Sequence, residues 1–231
     1  MLDVKSGSGA FLTGDQAARD LAAALVETAN GAGCRTSALI TDMDQPLARA
    51  AGNAVEVSAA IAVLKGEAGA LRDLSLALSQ ECLALGGLDP VGAERALDSG
   101  TAAERFAAMV AAQGGPSDLL ENPARLPRAL IVCPVPAKGR VAAIDATALG
   151  RAVVALGGGR VQAGQVIDPT VGLTDMLRLG EEAGFDRPLA MVHARTEDAA
   201  NAAIAAVQAA YQLGDAVVAG PLVRERIAVN D

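Results

Sequence analysis

Met1-Leu2-Asp3-Val4-Lys5 runs straight into Ser6-Gly7-Ser8-Gly9-Ala10-Phe11, and Thr36-Ser37-Ala38-Leu39-Ile40-Thr41 runs into Asp42-Met43-Asp44-Gln45-Pro46. Each is a short apolar-rich run that ends in a glycine-rich or polar loop, as a buried strand and its exit do. Between them, Asp15 to Asn30 repeats Ala17, Leu21, Ala24, Leu25 and Thr28 close to the helical period, and Gly31 and Gly33 stop it. Strand, helix and strand within about 40 residues make a βαβ unit, whose crossover implies a parallel pair. The fold class is therefore α/β. Ligand crevices in such sheets lie at the carboxyl ends of the strands, so the two loops are the first places to look for chemistry. A core strand of this kind needs neighbours on both sides. Leu2–Lys5 is accordingly expected as an interior strand of a larger sheet, with further polypeptide ahead of it.

Downstream the texture turns helical. Asn53 to Lys65, Leu71 to Leu85, Pro90 to Leu97 and Thr101 to Gln113 each space apolar residues by three and four. Pro116, Pro123 and Pro127 mark a linker within 114–128. Beyond it Leu130 to Cys133, Gly139 to Ile144, Val166 to Asp168, Val171 to Leu173 and Leu189 to His193 read as short strands. Ala146 to Leu156 and Glu197 to Leu213 read as helices, and Leu222 to Val229 as a last strand. The expected organisation is a parallel-sheet α/β part with helices and linker over residues 1–129, then a smaller α+β domain over 130–231.

The 231 residues are 52% hydrophobic and 20% charged, which suits a packed core and excludes a disordered chain. Aromatics make up only 2%, so alanine, valine, leucine and isoleucine must build that core. A net charge of −8 argues against a nucleic-acid surface. No run approaches the roughly 18 apolar residues of a membrane span, and no signal peptide opens the chain. Cys34, Cys82 and Cys133 form no CxxC pair, and a single His193 leaves no zinc cluster. These cysteines read as reduced, mostly buried thiols of a cytoplasmic protein.

Asp3 to Phe11, Thr41 to Leu47 and Ala51-Gly52-Asn53-Ala54-Val55-Glu56-Val57 together resemble the pyrimidine nucleoside phosphorylases. Gly150 to Arg160 and Val171-Gly172-Leu173-Thr174-Asp175-Met176 continue the pattern in the same order. The similarity is collinear from Leu2 to the C-terminus, and its wording is closest to the bacterial, thymidine-cleaving members. The resemblance implies reversible phosphorolysis of thymidine to thymine and 2-deoxyribose 1-phosphate, with phosphate as co-substrate and no organic cofactor. In that chemistry an anion must be held, the sugar oriented and the departing base stabilised. The family's Lys-His-Ser phosphate segment, and the Arg, Ser and Lys that grip the base, precede the Asp-Val-Lys strand. They have no counterpart here, so no catalytic residue is carried over. The chain reads as the family's C-terminal half, inactive alone. The alternative is a non-catalytic fragment or subunit that needs a partner carrying the N-terminal half; the partners expected are that half or further copies in a homo-oligomer.

Among the residues present, the Gly7-Ser8-Gly9 loop admits two readings, a tight turn or a cleft-lining loop whose N–H groups face an anion. Phe11 matches the family's pocket phenylalanine, whose ring packs on the base, against the alternative of a core residue. The resemblance also implies a monovalent-cation site, potassium in kind, with carbonyls from Leu47 and Ala50. Its glutamate position falls on Ala59, which removes a charged ligand. Asp42 and Asp44 read as turn residues before Pro46, and Asp3 with Lys5 as a structural pair. His193 reads as a satisfied strand-end histidine, and Gly157-Gly158-Gly159-Arg160 as a flexible turn at the wrong helix end for an anion.

Overall fold

A computed structural model describes residues 1–215 and 217–228. In chain order the elements are β1 (Leu2–Ser6), α1 (Asp15–Gly31), β2 (Ser37–Asp42), β3 (Ala51–Gly52), α2 (Ala54–Leu64), α3 (Ala70–Leu85), α4 (Gly92–Asp98) and α5 (Thr101–Ala112). There follow β4 (Ile131–Pro134), β5 (Gly139–Ile144), α6 (Ala146–Val153), β6 (Gly172–Thr174), β7 (Glu182–Ala183), β8 (Met191–Ala194), α7 (Glu197–Ala210), β9 (Tyr211–Leu213) and β10 (Val223–Ala228). Helices and strands mix in open sheets, as the α/β reading requires. They divide into two compact units.

The first unit holds Met1–Met43, Val63–Phe106 and β10. Its sheet has the order β1-β2-β10. β1 runs parallel to β2, with Leu2 opposite Ala38 and Ser6 opposite Asp42, and β10 closes the other side antiparallel. All six residues of β2 are buried, the signature of a central strand covered on both faces. α1 packs on this sheet through Ala18, Ala22 and Val26, which form one core with Val4, Ala38 and Ile40. Small residues on that row let the helix backbone approach the strands closely. At its end Gly33, at φ 82°, donates to Asn30 O, and the Asn30 side chain binds the backbone of Thr36 on both sides. The chain is thereby turned directly into β2.

The second unit holds Asp44–Ala62 and the described residues of Ala107–Ala219. An antiparallel sheet of order β3-β6-β8-β4 accompanies a three-stranded sheet of order β7-β5-β9. Its core gathers Val135, Val141, Leu149, Leu173, Leu189, Val192 and Val207. α6 is capped by Asp145, whose carboxylate accepts the Ala148 N–H at 2.8 Å, and α7 by the Thr196 hydroxyl.

Among the described residues β1 is the outer strand of its sheet, paired with β2 alone. Several other expectations are corrected. The row of α1 that faces the core is 18-22-26, one position away from the predicted 17-21-24-25-28 face; Leu21 and Leu25 are exposed. Val166–Asp168 forms no strand, and Val166 stands in solvent. The helix from Ala146 ends at Val153 and passes into one π turn at Val154–Gly158. The helix from Glu197 stops at Ala210, because Tyr211 turns inward and its hydroxyl donates to Leu177 O at 2.9 Å. The last strand joins the first unit's sheet, and Val229 lies outside the described residues. The compact units interleave along the chain, the second taking in Asp44–Ala62 and the first taking in β10. Cys34 and Cys82 are exposed and Cys133 half-buried, so the cysteines do not build the core.

Candidate functional site

At the carboxyl ends of β1 and β2 the chain emerges as two loops held to one another. The Met43 N–H donates to Ser6 O at 2.8 Å, and the Gly9 N–H donates to Met43 O at 2.9 Å. The Ala10 N–H closes a turn on Gly7 O at 3.0 Å. Gly7 sits at φ 128°, a backbone state that side chains oppose, which explains the glycine. The N–H groups of Gly9 and Ala10 are therefore spent inside the loop, and the turn reading accounts for them better than an anion cradle does. α1 begins only at Asp15, whose carboxylate stands at its N-terminus. Phe11 projects fully into solvent, at 108% relative exposure, so it is not a core residue.

Beneath this loop lies a charged cluster with no sequence-predicted member except Asp42. Arg224 on β10 donates to Asp15 Oδ1 at 2.5 Å, to Ser6 Oγ at 3.3 Å and to the buried Asp42 carboxylate. The Ser6 hydroxyl also donates to Asp15 at 2.7 Å. That hydroxyl first, then the guanidinium, holds the Asp15 carboxyl below its usual range. One arginine thus joins β1, β2, α1 and β10 at the end where the loops emerge. Asp3 and Lys5 pair at 2.5 Å and share the Thr41 hydroxyl, as a structural pair. Glu81 on α3 accepts from Ser37 and from Arg226, which pull its carboxyl below the ordinary range with Arg226 the larger cause. Arg224 and Arg226 lie so far along the chain from their partners that no local spacing announces them.

The second unit holds Leu47 and Ala50, whose carbonyls the resemblance implies as cation ligands. The Leu47 carbonyl accepts from the Arg178 guanidinium at 2.7 Å, and the Pro46 carbonyl from the same nitrogen at 3.2 Å. Ala50 stands half-buried three residues on. A guanidinium on that carbonyl, together with Ala59 at the carboxylate position, does not fit a potassium ion. Among the described residues no group of three or more His, Cys, Asp or Glu side chains is placed to hold a metal. Nearby, Arg49 grips Glu181 through both nitrogens at 2.7 Å, and Arg187 adds a third contact at 2.6 Å. Arg49 foremost depresses the Glu181 carboxyl to about 2. An open cavity of ≈ 380 Å³ is lined by Arg49 and Arg187 with Asp175, Asp186, Leu177 and Met191 among its walls. His193 bonds the Thr174 hydroxyl at 2.9 Å, and burial lowers its pKa. Arg160 lies exposed, turned back onto Gln165 O at 3.2 Å. No helix of the described residues is long and apolar enough to cross a membrane.

The pattern of the pyrimidine nucleoside phosphorylase C-terminal domain matches residues 140–214. The thymidine phosphorylase of Burkholderia lata is 49% identical across 98% of this chain and 54% of its own length. Those of Burkholderia cenocepacia and Burkholderia orbicola are 48% identical over the same shares. The chain therefore spans about half the length of the curated relatives it matches. It belongs to the pyrimidine nucleoside phosphorylase family, a family of pentosyltransferases, and corresponds to the C-terminal part of its thymidine phosphorylases.

Proposed function

We propose that this chain serves the reversible phosphorolysis of thymidine, giving thymine and 2-deoxyribose 1-phosphate, and that it does so only with the polypeptide its relatives carry beyond the matched part. The observation that carries this reading is the identity of 49% across nearly the whole chain to a thymidine phosphorylase. Residues 130–231 then supply the family's C-terminal α+β domain, within which the match at 140–214 falls, and add β10 as a strand of the first unit's sheet. The Gly7-Ser8-Gly9 loop supplies a cleft wall, and Phe11, an apolar ring in solvent, packs on the nucleobase. Phosphate is the co-substrate. No potassium is used, since Arg178 provides the positive charge beside the Leu47 carbonyl. The compartment is the cytoplasm.

The test is thymine release with phosphate and thymidine. The 231-residue chain alone is expected to be silent, because losing a single oxyanion-type contact already costs about 10²–10³ in rate. Adding the amino-terminal part of the Burkholderia lata enzyme is expected to give turnover. Robust turnover by the chain alone refutes the dependence on a partner. Silence in a formed complex favours a non-catalytic subunit. In the active complex Phe11→Ala should raise the thymidine KM and leave the phosphate KM unchanged. The reverse pattern removes Phe11 from the base pocket.

A further inference from the structure

Phe11 stands on the segment 7–14, between the end of β1 at Ser6 and the start of α1 at Asp15. Its ring is fully exposed, so no packing fixes where it stands. The Gly9 and Ala10 N–H groups are bonded, to Met43 O and Gly7 O, but from Phe11 to Thr13 the segment makes no hydrogen bond among the described residues. The place of the ring is therefore set by the two ends of the segment, and one side chain holds both.

That side chain is Arg224, reaching across from β10. One terminal nitrogen donates to Asp15 Oδ1 at 2.5 Å and to Ser6 Oγ at 3.3 Å. The Ser6 hydroxyl donates to the same carboxylate at 2.7 Å, so residues 9 apart in sequence close into one ring of polar contacts. The other terminal nitrogen binds Asp42, whose neighbour Met43 donates to Ser6 O and accepts from the Gly9 N–H. A planar guanidinium can serve two carboxylates at once because its donors leave in fixed, different directions. The Asp42 side chain is buried and that of Asp15 is 57% exposed, so the fold depends on the first pair and tolerates loss of the second. The Asp15 arm adds little stability. What it fixes is the span of the segment that carries Phe11.

We infer that Arg224, acting through Asp15 and Ser6, is a positioning residue for the pyrimidine nucleoside: it holds both ends of segment 7–14 and so sets where the Phe11 ring meets the base. The inference rests on the base contact given under Proposed function and adds the residue that aims it.

Two variants cut the arm from opposite sides. Asp15→Ala leaves the Arg224–Asp42 pair in place and should keep the circular dichroism of the parent. Arg224→Lys should act alike, because a single ammonium stays with the buried carboxylate. In the chain alone, nuclear magnetic resonance should show the Gly9 and Ala10 amides exchanging about 10-fold faster in both. In the complex with the amino-terminal part of the Burkholderia lata enzyme, each should raise the thymidine KM about 3–10-fold, the worth of one aromatic packing contact, with kcat and the phosphate KM unchanged. On a Phe11→Ala background either should add less than about twofold, since both changes remove the same contact. Arg19→Gln cuts the neighbouring α1–β10 pair and should leave the thymidine KM as in the parent. An unchanged thymidine KM in Asp15→Ala beside a raised one in Phe11→Ala overturns the inference. So do effects that add in full, an equal rise in the phosphate KM, or an equal rise for Arg19→Gln. Unchanged exchange at Gly9 and Ala10 overturns it without reference to activity. Faster exchange with a silent complex, or with a Phe11→Ala variant that keeps the parent's thymidine KM, defeats the base contact and leaves the hold of Arg224 on the loop standing.

Discussion

Asp42 ends the central strand with its side chain only 4% exposed. Arg224, 19% exposed, answers its charge from β10 and also binds Asp15. Removing one partner of such a pair leaves a carboxylate out of water, so Arg224→Ala is expected to destabilise the first unit by about 2–4 kcal/mol. Arg224→Lys should recover part of this, since it restores the charge without the planar fork that reaches both carboxylates. Urea unfolding checks both, and a loss under about 1 kcal/mol for the alanine variant would show that solvent already screens the pair. Glu181 gives a pH signature in the second unit. Its folded carboxyl titrates near 2 against an unfolded value of 4.5, with Arg49 the main cause. A depressed pKa contributes stability that is complete above the unfolded value and fades as pH falls toward the folded one. The shift alone corresponds to about 3 kcal/mol, and the half-exposed arginines reduce the expectation to about 1–2 kcal/mol. Glu181→Gln should therefore lower stability at neutral pH and flatten the acid limb between about pH 4.5 and pH 2. An unchanged slope in urea midpoints across that range refutes the assignment.

The elements show which signals a sequence carries. The period of α1 and its boundaries were legible, and the observed helix ends one residue from the expected stop at Asn30. Its buried face was not legible. Hydrophobicity favoured the leucines, but close packing on a sheet selected the alanines at 18 and 22. Ala22→Leu should thus cost about 1–3 kcal/mol through overpacking, while Leu21→Ala should change the stability of the chain alone by less than about 0.5 kcal/mol. Thermal melts of the two variants decide, and the opposite order would restore the leucine face to the core. The glycines at 52 and 172 carry a different constraint, with no periodic signal at all. A Cβ on Gly172 would lie 2.5 Å from Ala51 O, and one on Gly52 would lie 2.7 Å from Val171 O. β3 and β6 can pair only because both positions lack side chains. Gly172→Ala is expected to destabilise the second unit by more than about 2 kcal/mol. The loop at Gly7–Phe11 was legible as a turn after a strand, and so was its position at the sheet's carboxyl end. The arginines beneath it were invisible, because Arg224 and Arg226 meet their partners through pairing across more than 140 residues of chain.

For the molecule as a whole, the consequence of that long-range pairing is that the first unit is closed by its last strand. β10 supplies one side of β2, and Arg224, Glu225 and Arg226 are each pinned, to Asp15 and Asp42, to Arg19 and to Glu81. Without β10 the central strand would expose one row of backbone groups, and three carboxylates and an arginine would lose their counterions. Each buried backbone group left unsatisfied costs about 1–3 kcal/mol, against a total stability of about 5–15 kcal/mol for a domain. The second unit has its own core, around Val141, Leu173, Val192 and Val207, and contains no residue of β10. Removal of residues 220–231 is therefore expected to separate the two. In the full chain, β2 and the strands of the second unit should exchange their amides most slowly, and β1, paired on one side, should exchange faster than β2. In the shortened chain, protection of β2 and α1 should collapse by several orders of magnitude, while β5, β6 and β8 keep theirs. Hydrogen exchange followed by mass spectrometry resolves these segments directly. Retained protection in β2 after the deletion would mean that α1 and α3 suffice to hold the central strand. Loss of protection in both units together would mean that the cores around Ile40 and Val192 do not fold separately.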